Sequence, residues 1–111
     1  MNLHLCKLHP NAITPTYATD GSACFDLYAI EVSGGGDYST AMCRTGLAFE
    51  IPEGYAMLIF SRSGHGFNKN TRLANCVGVI DSDYRGEVMV KLTKDGAWQE
   101  ETPRLLAQAG D

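Results

Sequence analysis

The 111-residue sequence has no long hydrophobic stretch: its longest apolar run, "YAMLIF" at residues 55–60, is far short of the roughly 20 residues a membrane-crossing helix needs. No charged segment leads into an apolar one near the start, so no secretory leader is expected. Positive charge is scarce: nine Lys and Arg against thirteen Asp and Glu leave a formal net charge of -4. Such a chain has no overall field to draw it onto nucleic acid or a membrane, so neither is an expected partner, and an anionic ligand would need local donors or a metal. The four cysteines, Cys6, Cys24, Cys43 and Cys76, form no C-x-x-C pair, which removes a structural zinc site. They are expected to be buried or half-buried thiols in a reducing compartment, hence a cytoplasmic protein. Helical periodicity is missing as well, and only "RLLAQA" near the end has helix-forming composition.

What the sequence does have is turn chemistry. With 44% hydrophobic and 20% charged residues it has the composition of a globular protein, and its length suits one domain over residues 1–111. "HPNAITP", "SGGGD", "IPEG", "SRSGHG", "DSDYRG" and "TKDG" punctuate short apolar or alternating runs such as "CFDLYAI", "GLAFEI", "YAMLIF", "ANCVGVI" and "EVMVKLT". A turn about every ten residues is the pattern of an all-β sandwich or barrel. In the last run Val88, Val90 and Leu92 alternate with Glu87, Met89, Lys91 and Thr93, which suits a half-buried strand. Together with "ANCVGVI" it predicts a β-hairpin with "DSDYRG" at its tip, Gly86 supplying backbone freedom and Asp81 and Asp83 capping turn amides. The expected core is Leu27, Leu47, Phe49, Ile51, Met57, Ile59, Val79, Val88, Val90 and Leu92.

Three polar clusters are candidates for chemistry. Turn formation alone would account for Asp81 and Asp83. In "FSRSGHG", glycines let backbone N–H groups converge on an anion, while Ser63 adds a hydroxyl and Arg62 a planar fork suited to phosphate; a solvated loop arginine is the plainer alternative. In "GSACFDLYA", Asp26 interrupts an apolar strand, either facing solvent by alternation or serving a cation. Three aspartates and a phosphate cradle together suit Mg²⁺ chemistry on a phosphorylated small molecule.

The order of these segments resembles the first three of the five motifs of the trimeric dUTPases. "SACFDLYA" and "SRSG" match the first two, and "NCVGVIDSDYRGEV" matches the third through N-x-x-G-x-I-D-x-D-Y-R-G-E, which fixes nine positions. Residues 13 to 92 can be laid on the family pattern. The resemblance implies a jelly-roll-like, distorted β-barrel domain, a homotrimer with shared active sites, and Mg²⁺-dependent hydrolysis of dUTP to dUMP and pyrophosphate. That reaction keeps uracil out of DNA and supplies dUMP for dTMP synthesis. By position, Asp81 would be the catalytic carboxylate that orients or deprotonates the attacking water. Tyr84 would pack under the deoxyribose. Asn75, Gly78, Val79, Ile80 and Met89 would form the uracil pocket, Arg62, Ser63 and Gly64 would hold phosphate oxygens, and Asp26 would act on the metal through water. Cys24 stands where the family has glycine, and His65 and Gly66 follow R-S-G where apolar or small residues are commoner. The ending "TPRLLAQAGD" matches the fourth motif incompletely and no fifth motif follows it, so a C-terminally incomplete domain with reduced turnover is expected.

Two rivals share the fold. A dCTP deaminase would need an acid/base glutamate near the turn, for which Glu87 is the nearest residue, and a non-catalytic regulatory protein would use the nucleotide pocket as a switch.

Overall fold

A computed structural model describes residues 2–34 and 39–96. The turn clusters do separate short strands: β1 (His4–Lys7), β2 (Glu31–Gly34), β3 (Thr40–Arg44), β4 (Leu47–Glu50), β5 (Met57–Ile59), β6 (Thr71–Leu73), β7 (Gly78–Ile80) and β8 (Met89–Lys94), with one helix, α1 (Ser63–Lys69), between β5 and β6. The strands form three sheets, β1-β4, β2-β3-β8-β6 and β5-β7, and every pairing is antiparallel. The all-β expectation holds.

Two apolar clusters make the core. Ala29, Ala41, Cys43, Leu73 and Leu92 form the first, and Ala12, Leu47, Phe49, Ile51 and Val88 the second. Ile59 packs against both and joins them. The alternation read in "EVMVKLT" is realised: Val88 and Leu92 are buried while Met89 and Lys91 are exposed. Gly46, in the turn from β3 to β4, has φ +69, and an added Cβ would stand 2.8 Å from Ile30 Cδ1 and 3.1 Å from His9 Cβ. Only a residue without a side chain fits there.

Several local expectations fail. β7 does not pair with β8: its partner is β5, whereas β8 lies between β3 and β6. The "DSDYRG" segment is therefore a connection between two sheets, not the tip of a hairpin. Each strand instead takes a partner distant in sequence, β7 pairing with β5 and β8 with β3 and β6. Within β7 the pleat turns Ile80 inward and leaves Val79 59% exposed, so Val79 is not core. "CFDLYAI" is held by one isolated bridge, Thr16 to Asp26, and not by a continuous strand. The "SRSGHG" turn opens a helix that ends on Asn70 in the left-handed conformation, φ 50. Of the cysteines only Cys43 is buried; Cys6, Cys24 and Cys76 are exposed free thiols. The "RLLAQA" segment and the "TPRLLAQAGD" ending lie outside the described residues.

Candidate active site

β5 and β7 run antiparallel with Met57 opposite Ile80 and Ile59 opposite Gly78. Arg62 and Ser63 follow the C-terminal end of β5, and Asp81 follows the C-terminal end of β7. Because the ladder is antiparallel, these residues leave it at opposite ends. Two of the three polar clusters are brought together: Asp26, Arg62, Ser63 and Gly64 line one cleft of about 560 Å³, with Tyr17, Phe25 and Phe60 as its aromatic wall. Tyr17 meets Phe25 edge-on at 5.9 Å, and Phe25 stacks on Phe49 at 6.2 Å, which fixes the wall to the second core cluster. The third-motif residues Asn75, Gly78, Val79, Ile80, Asp81 and Tyr84, and Met89 just after the motif, do not line that cleft.

The floor of the cleft is positioned by backbone bonds. Asp26 N–H donates to the Thr16 carbonyl at 2.9 Å, and Leu73 N–H donates to Ser61 Oγ at 3.0 Å, tying the start of the Arg62 segment to β6. Gly66 N–H donates to the Arg62 carbonyl at 3.0 Å, the first bond of α1. The amides of Ser63 and Gly64 ahead of it precede the first intrahelical bond.

The other cluster is a stiff turn. Tyr84 N–H donates to the Asp81 carbonyl at 3.1 Å, and Arg85 Nη1 donates to the Ser82 carbonyl at 2.6 Å. The Tyr84 hydroxyl donates to the Glu87 carbonyl at 2.8 Å. Gly86 has no positive φ; its role is space. A Cβ there would lie 2.6 Å from the Tyr84 hydroxyl and 2.7 Å from its Cζ, so the ring rests directly on the glycine. The expectation that Asp81 and Asp83 cap turn amides is not met: the turn is closed by a backbone carbonyl, and among the described residues neither carboxylate accepts a hydrogen bond. Asp81 is exposed.

Glu87 differs from these aspartates. Arg44 Nε donates to both of its carboxylate oxygens at 3.2 Å and Nη2 to Oε1 at 3.1 Å, while Gly46 N–H donates to Oε2 at 3.0 Å. The Arg44 hydrogen bonds hold the carboxyl below its ordinary range, against the opposing effect of burial and with help from the Gly46 amide. The same partner raises Arg44, with Glu31, 3.0 Å from Nη1, assisting. A carboxylate held by a planar guanidinium fork and a backbone amide is a structural ion-pair partner in this fold. Sequence reasoning missed this clamp because Arg44 and Glu87 are 43 residues apart and nothing local links them.

Among the described residues no group of three His, Cys, Asp or Glu could hold a metal ion. The cleft offers the single carboxylate of Asp26. That suits a magnesium ion held mainly by substrate phosphates and water, not an all-protein cage.

The fold is a β-sheet domain that carries an Arg-Ser-Gly cleft and a separate Asp-Tyr turn. The chain belongs to the dUTPase family, whose profile matches residues 10–99. It is 46% identical over 92 residues to the deoxyuridine 5'-triphosphate nucleotidohydrolase of Picosynechococcus, an alignment covering 83% of this chain and 65% of that protein. It is 42% identical to the protein of the same name from Wolinella succinogenes, over 100% of this chain and 71% of that one. Among solved structures, a mutant dUTPase of the S. aureus phage phi11, described with a structural Mg(II) ion, is 28% identical with a TM-score of 0.74, covering 85% of this chain and 60% of that one. A mutant dUTPase of Staphylococcus bacteriophage 80alpha with dUpNHpp is also 28% identical with a TM-score of 0.74, covering 85% and 59%. The chain thus spans about two thirds of the length of the curated relatives it matches.

Proposed function

We propose that this chain carries the nucleotide site of a dUTP diphosphatase, which hydrolyses dUTP to dUMP and pyrophosphate. The observation that carries the reading is the Asp81–Tyr84 turn: an exposed carboxylate with no hydrogen-bond partner among the described residues, one turn away from a ring fixed on Gly86. An acid left unpaired at the tip of a rigid turn is free to accept a proton from water or to hold it in line with a phosphorus. Tyr84 forms the floor for a deoxyribose and excludes a 2′-hydroxyl. Asn75, Gly78, Val79, Ile80 and Met89 present backbone and apolar groups to uracil.

Arg62, Ser63 and Gly64 hold phosphate oxygens through the guanidinium, the hydroxyl and the amides at the start of α1. Bound beside Asp26, Mg²⁺ would neutralise charge on the triphosphate. A homotrimer with shared sites is supported by the phosphate cleft and the Asp81 turn leaving one ladder at opposite ends, so that one copy can complete the site of another. Among the described residues no helix is long and apolar enough to cross a membrane, and the three exposed free thiols suit a reducing, cytoplasmic setting.

The test is pyrophosphate release from dUTP and dCTP with Mg²⁺, beside Asp81→Asn. Release from dUTP that falls by about 100-fold or more in the variant, with unchanged stability, supports the reading. Ammonia from dCTP would overturn it. A second reading, a nucleotide-gated regulatory protein, is favoured by the 80alpha neighbour, described as controlling transfer of virulence genes by a G protein-like mechanism. Nucleotide binding without turnover would select it.

A further inference from the structure

We propose that Arg44 and Glu87 are positioning residues that set the preference for deoxyribose over ribose, by fixing the height of the Tyr84 ring above its turn. The inference rests on the reading of Tyr84 as the sugar contact and extends it to residues that touch no substrate.

The mechanical path is short. The Tyr84 hydroxyl is tethered to the Glu87 carbonyl at 2.8 Å, so the ring can be no steadier than the Glu87 peptide. Glu87 is fastened from its other side. Its carboxylate takes the planar fork of Arg44 and the Gly46 amide, at 3.0 to 3.2 Å, with the side chain only 17% exposed. The next residue is fastened to the same segment, since Thr45 Oγ1 donates to the Val88 carbonyl at 2.7 Å and Val88 N–H to the Leu47 carbonyl at 2.8 Å. Residues 44–47 are therefore an abutment, and the Tyr84 turn is cantilevered from it. Gly46 takes the left-handed backbone, φ +69, that this turn requires, and a side chain added there would collide with Ile30, His9 and Ala12. Arg44 is itself steadied on its outer side by Glu31.

A ring that forbids one oxygen atom works over less than the diameter of that atom. Releasing the Glu87 side chain lets the ring drop and admits a 2′-hydroxyl, while the Asp81 carboxylate and the phosphate cleft stay as they were. The signature is a change in the ratio of two affinities, which a general loss of stability would not produce, because that lowers both together.

The experiment compares the chain with Glu87→Gln and with Arg44→Lys, which keeps the charge but loses the fork. Binding of dUMP and of UMP is measured by calorimetry, and exchange of the Tyr84 amide hydrogen by NMR. The expected result is a dUMP-over-UMP preference that falls about tenfold in Glu87→Gln and less in Arg44→Lys, with faster Tyr84 exchange in both. If Glu87→Gln fails to fold, Arg44→Lys carries the comparison. A preference retained in the variants, or two affinities that fall in step, overturns the proposal alone. A parent chain that does not prefer dUMP removes the sugar reading, and this proposal with it.

Discussion

Gly86→Ala tests whether the turn is built for the ring that lies on it. The new methyl would sit 2.6 Å from the Tyr84 hydroxyl, 2.7 Å from Cζ and 3.1 Å from Cε1, where ordinary contact begins near 3.4 Å. The ring must withdraw by nearly an ångström. It can do so easily, because Tyr84 is 43% exposed and the clash falls on the far end of its side chain. What is lost is the 2.8 Å bond to the Glu87 carbonyl, and for a neutral hydrogen bond at a partly exposed site that is about 1 kcal/mol or less. The melting temperature is expected to drop by only about 4 °C.

On the proposed role of Tyr84 beneath the sugar the consequence for binding is far larger, and kcat/KM for dUTP is expected to fall about 100-fold. Gly46→Ala is the contrasting control. There a left-handed backbone and a Cβ 2.8 Å from Ile30 Cδ1 leave no exposed side chain to swing away, so stability falls by about 3 kcal/mol. Thermal melts and dUTP turnover measured on both variants separate the two effects. Gly86→Ala with full turnover, or with a loss of stability matching that of Gly46→Ala, would refute the argument.

Other outcomes follow from the core and the clamp. Leu47→Ala removes a side chain with no exposed surface, and guanidinium unfolding is expected to show a loss of about 3 to 4 kcal/mol; a loss under about 1 kcal/mol would mean the second cluster is not a packed core. Glu87 is held below its ordinary value of 4.5 in the folded chain, so its contribution is complete above that pH and vanishes as pH falls through the lowered folded value. Urea unfolding from pH 7 down to pH 3 is expected to show the parent losing its advantage over Glu87→Gln in that acid window; a constant difference would contradict the ion pair.

Much of the fold was legible where the local pattern and the tertiary environment agree. The alternation in residues 87–93 is recovered in β8 because one face of that strand meets the core and the other does not. Pairing partners were less legible. β7 and β8 are close in sequence with a good turn between them, yet each finds its ladder elsewhere, and no two-residue period encodes that choice. α1 escaped notice because seven residues containing Gly64 and Gly66 carry no helical stripe and bury nothing; the left-handed Asn70 that ends it is the one local cue. Of the proposed site, Asp26 and Arg62 to Gly64 share a cleft, whereas Asp81 and Tyr84 stand apart from it, a separation that follows from strand direction and not from residue type. The three exposed thiols were misjudged because cysteine's usual burial says nothing about edges and loops.

The segment from Asp81 to Glu87 is one of three covalent bridges, with residues 60–70 and 74–77, between the β5-β7 sheet and the four-stranded one. A nucleotide gripped by that bridge would act as a splint across the seam. Breathing motions that slide one sheet past the other would be damped when the ligand is seated, and the quieting would be felt in β3, which pairs with β8 beyond the bridge.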